Sequence, residues 1–326
     1  MSALPGRYLV TGGAGFIGSH LVASLVRAGR QVRVLDDFSS GRRENLAGVG
    51  DAVEVMEGDI RHPEVCRQAC ADVDYVLHHA ARVSVEESLA HPVETHEVNA
   101  LGTLKLLVAA REAGCQRFVY AGSASAYGDT AASPQREDGK PNPLSPYAVA
   151  KHVGELYCRI FHDLFGLETV VLRYFNVFGP RQDAASPYSG VIARFLAQLT
   201  RGEVPVIYGD GEQTRDFVPV ENVVAANLLA CAAPRAAGQT INIGCGQAIT
   251  VNRLAGMLVE LTGARCRPEH GPARSGDILH SCADISRAQE LLGYQVSLAP
   301  YDGLKAAVAW YQADGKTRAG RSERPP

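Results

Sequence analysis

The sequence has no apolar run of the roughly 18 residues that a transmembrane helix needs. Charge imbalance is also small, since 32 Lys and Arg residues against 35 Asp and Glu residues give a formal net charge of -3. This balance argues against a protein that holds nucleic acid on a basic surface. No cationic segment followed by an apolar one opens the chain, so we expect no secretion signal. These absences favour a cytoplasmic protein that binds neither nucleic acid nor a membrane.

Cysteine pairs of the C-x-x-C type are missing as well. The eight cysteines are scattered through segments that have the pattern of core helices and strands. Small buried hydrophobic residues in a reducing compartment explain this distribution better than a disulfide framework or a zinc site. We therefore expect free thiols and no bound metal.

The 326 residues do contain a regular alternation of strand and helix patterns. Short apolar strand patterns lie at residues 7–11, 31–36, 53–57, 75–78, 117–121 and 169–173. Helical spacing separates them, most clearly over residues 93–113 and 146–165. Because strand and helix alternate, the sequence predicts parallel βαβ units and an α/β fold with a Rossmann-type doubly wound parallel sheet.

Glycine is enriched, at 33 of 326 residues, and its clearest cluster is TGGAGFIG at residues 11–18. Gly12, Gly15 and Gly18 are three residues apart, between the first strand and the first helix. This pattern gives a tight turn, backbone close to a pyrophosphate, and close helix–strand packing. Asp36 ends the second strand, where a carboxylate accepts hydrogen bonds from an adenosine ribose and repels a 2′-phosphate. NAD is therefore favoured over NADP, although two nearby arginines weaken the preference.

A second signal is the pair Tyr147 and Lys151, which lie four residues apart on one helix face. A phenol has a pKa near 10 and is a poor base, but a neighbouring ammonium and the positive nicotinamide ring favour the phenolate. Ser123 follows the fifth strand, in AGSASAYG at residues 121–128, and is placed to bind a substrate hydroxyl. Because no Gly-x-Ser-x-Gly elbow is present, we do not expect a hydrolase serine.

With these residues the chain resembles the extended short-chain dehydrogenase/reductase superfamily, and within it the UDP-glucose/UDP-N-acetylglucosamine 4-epimerase family. The matching stretches cover almost the whole chain. They are TGGAGFIGSH (11–20), LDDFSSG (35–41), GDI (58–60), HHAA (78–81), Asn99, GSASAYG (122–128), YAVAK (147–151), RYFNVFGPRQD (173–183), YGDGEQTRDFVPVENV (208–223), NIG (242–244) and RSGDILHSCADIS (274–286).

The resemblance implies a nucleotide-sugar 4-epimerase with bound NAD and assigns residues by their match to the family motifs. The implied catalytic residues are Ser123, Tyr147 and Lys151. Besides Tyr147 and Lys151, the implied cofactor-binding residues are Gly12, Gly15, Phe16, Ile17, Gly18, Asp36, Phe38, Ser39, Gly41, Asp59, Ile60, Ala80, Ala81 and Asn99. Besides Ser123 and Tyr147, the implied substrate-binding residues are Ser84, Ser125, Asn176, Val191, Tyr208, Arg215, Arg274, Asp277 and Ser281.

Departures from related enzymes narrow the expected reaction. The 4,6-dehydratases of the superfamily have an Asp-Glu pair just after the catalytic hydroxyl, where this chain has Ala124, Ser125 and Ala126. The acid that eliminates water is missing, so dehydration is disfavoured. Ser281 stands where some family members have a bulky residue that closes the sugar pocket, so we expect room for an N-acetyl group. The resemblance therefore implies epimerisation of UDP-N-acetylglucosamine and UDP-N-acetylgalactosamine, with UDP-glucose and UDP-galactose as further substrates, through a 4-keto intermediate.

Other interpretations remain open. UDP-glucuronate 4-epimerisation or decarboxylation would need a basic residue for the C6 carboxylate, and Arg82, Arg181 and Arg194 are candidates. A non-catalytic NAD-binding regulator is the alternative from another class, because fold does not fix function. The resemblance also implies a homodimer formed through the helices at 93–113 and 146–165.

The expected domain organisation follows from these assignments. Residues 1–178 would form the NAD-binding Rossmann domain, which also receives residues from about 220 to 243. Residues 179–315 would form mainly a smaller α/β lobe that binds the UDP-sugar over the carboxyl ends of the strands. Residues 316–326 are polar and end in two prolines, and we expect a disordered tail.

Overall fold

The computed structural model describes residues 4–130, 133–183, 190–273 and 278–322. The strands are β1 (Arg7–Thr11), β2 (Gln31–Asp36), β3 (Val53–Glu57), β4 (Tyr75–His78), β5 (Arg117–Ser123), β6 (Glu168–Tyr174), β7 (Asn176–Phe178), β8 (Val206–Tyr208), β9 (Thr214–Pro219), β10 (Thr240–Ile243), β11 (Ala248–Thr250) and β12 (Glu269–Gly271). The α-helices are α1 (Phe16–Arg27), α2 (Pro63–Cys70), α3 (Val85–Ala90), α4 (Pro92–His96), α5 (Thr103–Glu112), α6 (Pro146–Phe165), α7 (Val191–Thr200), α8 (Val220–Ala232), α9 (Val251–Thr262), α10 (Ser286–Leu292) and α11 (Pro300–Ser322).

Seven of these strands form one sheet in the order β10-β6-β5-β4-β1-β2-β3, and every pairing in it is parallel. This confirms the predicted doubly wound α/β fold. The chain order reverses between β1 and β4, and a reversal of this kind opens a crevice at the carboxyl ends of the two strands. The glycine-rich segment after β1 lies at that point.

The strands bury both faces, as the period-2 alternation of a strand requires. On β1, Tyr8 and Val10 belong to one apolar cluster, whereas Leu9 belongs to the cluster on the opposite face. A third cluster includes Phe195 of α7 and Leu254 of α9. It lies beside two small sheets, of order β11-β9-β7 and β12-β8. The large sheet and the smaller sheets therefore have separate apolar cores.

Helix α6 carries the Tyr-x-x-x-Lys segment and has the bounds that the sequence predicts. The Ser145 side chain accepts from the backbone N–H of Ala148, Pro146 occupies the first turn, and Gly166 ends the helix with a φ of 72°. An N-cap hydroxyl, an early proline and a left-handed glycine are strong helix boundary signals, which explains why both ends were predictable.

The predicted single helix over residues 93–113 is interrupted. A π-helical segment, Glu97–Gly102, separates α4 from α5. Within it, the Asn99 side chain is buried and bonded to the backbone of the preceding loop rather than to its own helix. A π-helical turn admits one extra residue, and such turns are frequent at functional sites.

Helix α11 continues to Ser322 and so extends into the segment 316–326 that we expected to be a disordered tail. Lys316, Arg318 and Ala319 are good helix formers, which favours continuation of the helix.

In the part of the chain that the structure describes, no helix combines the length and apolar character that crossing a bilayer requires. All eight cysteines are free thiols.

Candidate active site

The loop after β1 is built for glycine at specific positions. Gly12 has a φ of 66°, and a Cβ there would lie 2.7 Å from the backbone nitrogen of Ala80. A Cβ at Gly18 would overlap the carbonyl oxygen of Gly12. The Gly15 N–H donates to that same carbonyl at 3.1 Å. A side chain at Gly12 or Gly18 would force β1, α1 and the end of β4 apart, so the predicted tight loop is present.

The first turn of α1 points its amides at the mouth of this loop. Gly15 is the N-cap, and no side chain caps the helix. The N–H groups of Phe16, Ile17 and Gly18 are the first-turn donors that a helix cannot satisfy internally. Such donors, with the positive end of the helix dipole, form an anion site. The cradle therefore fits a dinucleotide pyrophosphate.

Asp36 lies at the end of β2 and is anchored from two sides. Its carboxylate accepts from the backbone N–H groups of Ala14 and Phe38, at 2.8 and 2.9 Å. Burial raises the pKa of Asp36, and the two backbone hydrogen bonds oppose that rise. A Cβ at Gly41 would lie 2.5 Å from the carboxylate, so glycine leaves it room. Each carboxylate oxygen keeps a lone pair for a further donor, which fits a ribose diol.

The other predicted cofactor-binding residues after β2 and β3 have different local contacts. Phe38 has a φ of 55°, and its ring lies 4.1 Å from the Arg43 guanidinium. The Ser39 hydroxyl donates to Asp37 at 2.7 Å, and Asp59 forms an ion pair with Arg61 at 2.6 Å. Ile60 is buried in the core cluster between α2 and α5, so its side chain serves packing.

Residues 80–82 form the loop after β4, where we expected Ala80, Ala81 and Asn99 to line the cofactor. The Ala80 N–H donates to the Thr11 hydroxyl at 3.2 Å. Asn99 accepts from the Arg82 N–H at 2.8 Å and donates to the Arg82 carbonyl at 2.7 Å. Asn99 therefore holds the loop that carries Ala80 and Ala81 in place with both ends of its amide.

The three predicted catalytic residues come together at the end of β5. The Ser125 N–H donates to Ser123 Oγ at 3.2 Å, and the Ser123 side chain interacts with that of Tyr147. Burial raises the pKa of Tyr147, and the Ser123 hydrogen bond opposes the rise. Lys151 Nζ donates to the Ala121 carbonyl at 2.9 Å. Burial lowers the pKa of Lys151 to about 8, with Glu155 opposing that fall.

Ser125, two residues after Ser123, contributes a second hydroxyl in this segment. Its Oγ is buried and has no hydrogen-bond partner among the residues that the structure describes. A buried hydroxyl without a partner costs free energy and is stabilised when a ligand supplies one. Ser125 therefore fits its predicted role as a second contact to the sugar.

Sequence reasoning missed a buried ion pair just beneath these residues. Glu155 lies on α6, four residues after Lys151, and accepts from Arg173 Nε at 3.0 Å and from a terminal guanidinium nitrogen at 2.7 Å. Both side chains are about 95% buried, with side-chain exposures of 4% and 5%. The i, i+4 spacing after Lys151 is visible in the sequence, but its partner on β6 is not.

The predicted substrate residues lie on the smaller sheets and their loops. Arg215 is on β9 and donates to the Thr214 carbonyl at 2.8 Å. Asn176 begins β7 and is exposed, while Val191 begins α7 and is partly buried in the third cluster. Tyr208 ends β8, with the Arg194 guanidinium 5.3 Å from its ring. Arg274 and Asp277, the other part of the expected UDP clamp, lie outside the described residues.

Two serines have defined local partners. Ser84 Oγ accepts from the Glu87 N–H at 2.9 Å and so caps α3. Its hydroxyl hydrogen is left for a substrate contact. The Ser281 hydroxyl donates to the Gln135 side-chain oxygen at 3.3 Å and is buried. Gln135 is a second residue that the sequence did not reveal.

Across the described residues, no three His, Cys, Asp or Glu side chains gather as a metal ion would need.

A pyrophosphate cradle at the switch point of a parallel sheet, with a Ser-Tyr-Lys cluster two strands along the same sheet, defines an enzyme of the short-chain dehydrogenase/reductase type that uses a bound dinucleotide. The sequence profile of the NAD dependent epimerase/dehydratase family matches residues 8–244. The chain belongs to that family, and its cofactor is NAD.

Relatives match over nearly the whole chain. The UDP-glucose 4-epimerase of Mycolicibacterium smegmatis is 39% identical over 310 residues, which are 94% of this chain and 98% of that protein. The UDP-N-acetylglucosamine 4-epimerase from Methanobrevibacter ruminantium M1, solved with UDP-N-acetylmuramic acid, is 36% identical with a TM-score of 0.91, covering 96% of this chain and all of that one. The UDP-glucose 4-epimerase of Thermotoga maritima, solved with UDP-glucose, is 39% identical with a TM-score of 0.90, covering 94% and 99%.

Proposed function

We propose that the protein is a UDP-sugar 4-epimerase that interconverts UDP-N-acetylglucosamine and UDP-N-acetylgalactosamine, and also UDP-glucose and UDP-galactose. The observation that carries this proposal is the cluster at the end of β5, where the Ser123 hydroxyl meets Tyr147 and Lys151 lies one helical turn away. This cluster and the NAD cradle lie at the carboxyl ends of strands in the same parallel sheet, with β4 between them, so one bound dinucleotide could serve proton and hydride transfer at one carbon. The names of the relatives support the same reaction class.

Each residue has a definite task in this reaction. When bound, NAD⁺ supplies the acceptor, and later the donor, of the hydride at C4 of the sugar. Tyr147 takes the proton of the C4 hydroxyl, so that the carbon becomes a ketone, and returns that proton after the sugar presents its other face. Ser123 donates to the C4 oxygen and keeps it in reach of Tyr147. The positive charge of Lys151 favours the phenolate form of Tyr147.

The UDP half of the substrate must stay anchored while the 4-keto sugar turns over. Arg215 fits the diphosphate, because a guanidinium forms paired hydrogen bonds with phosphate oxygens. Asn176 is on β7, which pairs with the β9 strand of Arg215, while Val191 begins α7 and Tyr208 ends β8. We propose that Arg274 and Asp277 complete this grip at the diphosphate and the uridine ribose.

The small side chain at position 281 supports acceptance of an N-acetyl group. Ser281 is small, and its hydroxyl is hydrogen-bonded to Gln135. A bulky residue at this position would occupy the space that serine leaves. Arg82, one of the three arginines considered for a C6 carboxylate, is already paired with Glu87 and Glu94, which makes it a poor candidate for that role. Dehydration is disfavoured by Ala124 and Ala126, which offer no acid.

The test is turnover of three UDP-sugars by the purified protein without added cofactor. We expect UDP-N-acetylglucosamine and UDP-glucose to be converted to their C4 epimers, with UDP-glucuronate unchanged, as read by chromatography or proton NMR. Tyr147→Phe should abolish turnover while the protein keeps its fold and its NAD. Bound NAD with no turnover of any UDP-sugar would favour a regulator instead. Near-normal turnover by the Tyr147 variant would overturn the assignment of that residue.

We propose that the protein is a cytoplasmic homodimer. On α6, Val149, Leu156, Ile160 and Leu164 are exposed although apolar, and their spacing places them on one helix face. Val93 of the neighbouring α4 is 71% exposed and Leu164 is 74% exposed. Contiguous apolar side chains of this kind mark an interface, and two copies related by a two-fold axis would cover the same face on each.

Sedimentation velocity tests this interface. The wild-type protein should sediment as a particle of twice 34.8 kDa, and Leu156→Glu combined with Leu164→Glu should give the monomer. Val55→Glu is the matched control, since Val55 is exposed on β3 at the far edge of the sheet. A wild-type monomer, or a double variant that stays dimeric, would contradict the proposal.

A further inference from the structure

The Glu155–Arg173 pair lies directly behind the end of β5. Arg173 on β6 is the register partner of Gly122 on β5. A Cβ at Gly122 would lie 3.0 Å from a carboxylate oxygen of Glu155, so the strand end and the carboxylate are in close packing. The residue on one side of Gly122 is Ala121, whose carbonyl accepts from Lys151. The residue on the other side is Ser123, whose side chain interacts with Tyr147.

The pair is held from several directions. Glu155 accepts two hydrogen bonds from Arg173, and its second oxygen lies 3.1 Å from His152 Nδ1. The Arg173 guanidinium lies 4.7 Å from the ring centre of Tyr127, whose hydroxyl donates to Asn242. Burying two charges costs several kcal/mol per ion before their attraction is counted, so a pair of this kind is weak evidence for stability alone. Its position at the active site suggests another use.

Lys151 is buried among groups that are otherwise neutral. His78 Nδ1 accepts a hydrogen bond from the Thr11 hydroxyl. The Thr103 hydroxyl donates its hydrogen to the Asn99 carbonyl, so its oxygen accepts from His78 Nε2. Both ring nitrogens of His78 are thus engaged in the neutral form, and burial lowers its pKa well below the usual range.

The remaining neighbours of Lys151 are neutral for the same reason. Burial lowers the pKa of His79 to about 3. It raises the pKa of Tyr120, whose ring centre is 5.1 Å from Lys151 Nζ, and the pKa of Cys158 on α6. Burial also raises the pKa of Tyr147, which is on the same helix. Among the described residues that act on Lys151, Glu155 is the anion, and it opposes the effect of burial on the ammonium.

We propose that the buried Glu155–Arg173 pair is a positioning element of the active site, which fixes the end of β5 between Ala121 and Ser123 and keeps the Lys151 ammonium charged. Arg173 holds Glu155 in one place by two hydrogen bonds, and Glu155 packs on Gly122 and lies one turn of α6 after Lys151. Glu155 touches neither substrate nor cofactor in this arrangement and acts through Lys151 and the strand end. The inference rests on the proposed use of Tyr147 and Lys151 in proton transfer.

The sequence offers a direct readout of Lys151 that needs no substrate. The chain has five lysines: Lys105, Lys140, Lys151, Lys305 and Lys316. Protein grown with lysine labelled with ¹³C at the ε-carbon gives one resonance for each, and the Lys151 resonance is the one that Lys151→Arg lacks. Titration of the NAD-bound protein by NMR then gives the pKa of Lys151 in each variant.

We expect Glu155→Gln to lower the Lys151 titration midpoint by at least about one pH unit, a tenfold change in its proton dissociation constant, because the nearby anion is lost. Asp163→Asn is the matched control: Asp163 is on the same helix but pairs with Arg159 at the surface. It should leave the midpoint unchanged. A change below about 0.3 pH unit in the Glu155 variant, or an equal change in the control, would overturn the proposal.

Glu155→Gln leaves Arg173 buried without its anion and could unfold the protein, so a second variant keeps the test decisive. Glu155→Gln combined with Arg173→Met removes both charges and avoids an uncompensated one. The Lys151 midpoint should fall in this variant too, and an unchanged midpoint would refute the proposal. Where UDP-sugar turnover is measurable, the alkaline limb of the kcat profile should move to lower pH with the midpoint. Absence of turnover in the wild type would defeat the proposed function but would not affect the NMR result.

Discussion

Replacing Lys151 by methionine should abolish turnover and yet make the protein more stable at neutral pH. Lys151 is 5% exposed, and burial lowers its pKa from 10.5 to about 8. A fall of about 2.5 pH units corresponds to about 3 kcal/mol at about 1.4 kcal/mol per unit. The native state carries this cost wherever the ammonium is charged, that is, below pH 8. Lys151→Met removes the cost but also loses a hydrogen bond to Ala121 that is worth about 1 kcal/mol, so a net gain of about 2 kcal/mol remains.

The pH dependence of this gain identifies its origin. Between pH 8 and 10.5 the unfolded chain binds more protons than the native state at this group, so Lys151 adds stability to the wild type as the pH rises. The advantage of Lys151→Met should therefore be largest at pH 7 and should shrink toward pH 10.

Urea unfolding of the wild type and of Lys151→Met, both freed of NAD, gives the change in unfolding free energy at pH 7 and at pH 10. Comparing that change between the two pH values cancels the titration of groups that both proteins share. Lys151→Arg is the control, because a guanidinium cannot become neutral and should destabilise the protein at both pH values. A Lys151→Met variant that is less stable at pH 7, or equally shifted at both pH values, would refute the reasoning.

Three further predictions follow from single contacts. Gly18→Ala should purify without NAD, since its Cβ would overlap the Gly12 carbonyl; NAD content after denaturation measures this, and Gly48→Ala, where a Cβ meets nothing, is the control. Ser281→Tyr should lower kcat/KM for UDP-N-acetylglucosamine at least about tenfold more than for UDP-glucose, and equal losses would contradict the pocket assignment. Asn99→Ala should cost about 2 kcal/mol in urea unfolding, because the Arg82 N–H and carbonyl both lose their partner; a cost below about 0.5 kcal/mol would show that the loop finds others.

The parts that the sequence predicts well are those set by local chemistry. Helix α6 has a capping Ser145, Pro146 in its first turn and Gly166 at its end, and each acts within a few residues of its own position. The glycine loop is local in the same sense, since the spacing of Gly12, Gly15 and Gly18 matches one turn-and-helix geometry. These features place Tyr147 and Lys151 on one helix face before any tertiary contact is known.

The parts that the sequence did not predict depend on pairing between distant segments. The partner of Glu155 is Arg173, which lies on the next strand of the sheet and looks like an ordinary strand residue in the sequence. Gln135 meets Ser281 across 146 residues. The π-helical turn at Asn99 is also hidden, because its cause is the loop at Arg82 and not the helix pattern. Sequence patterns carry no register for such contacts, so only the fold reveals them.

The active site is built from buried charges that the fold must hold at a cost. Asp36, Lys151 and the Glu155–Arg173 pair are each about 95% buried, and burial opposes the charged form of Asp36 and of Lys151. Asp36 and Lys151 form hydrogen bonds with backbone groups, and Glu155 and Arg173 form them with each other. These bonds reduce the free-energy cost of burying the charges but do not remove it. We propose that bound NAD offers Asp36 the donors of a ribose and completes the anion cradle at α1. Loss of the dinucleotide should therefore lower the free energy of unfolding, because Asp36 and the first-turn amides of α1 lose these partners.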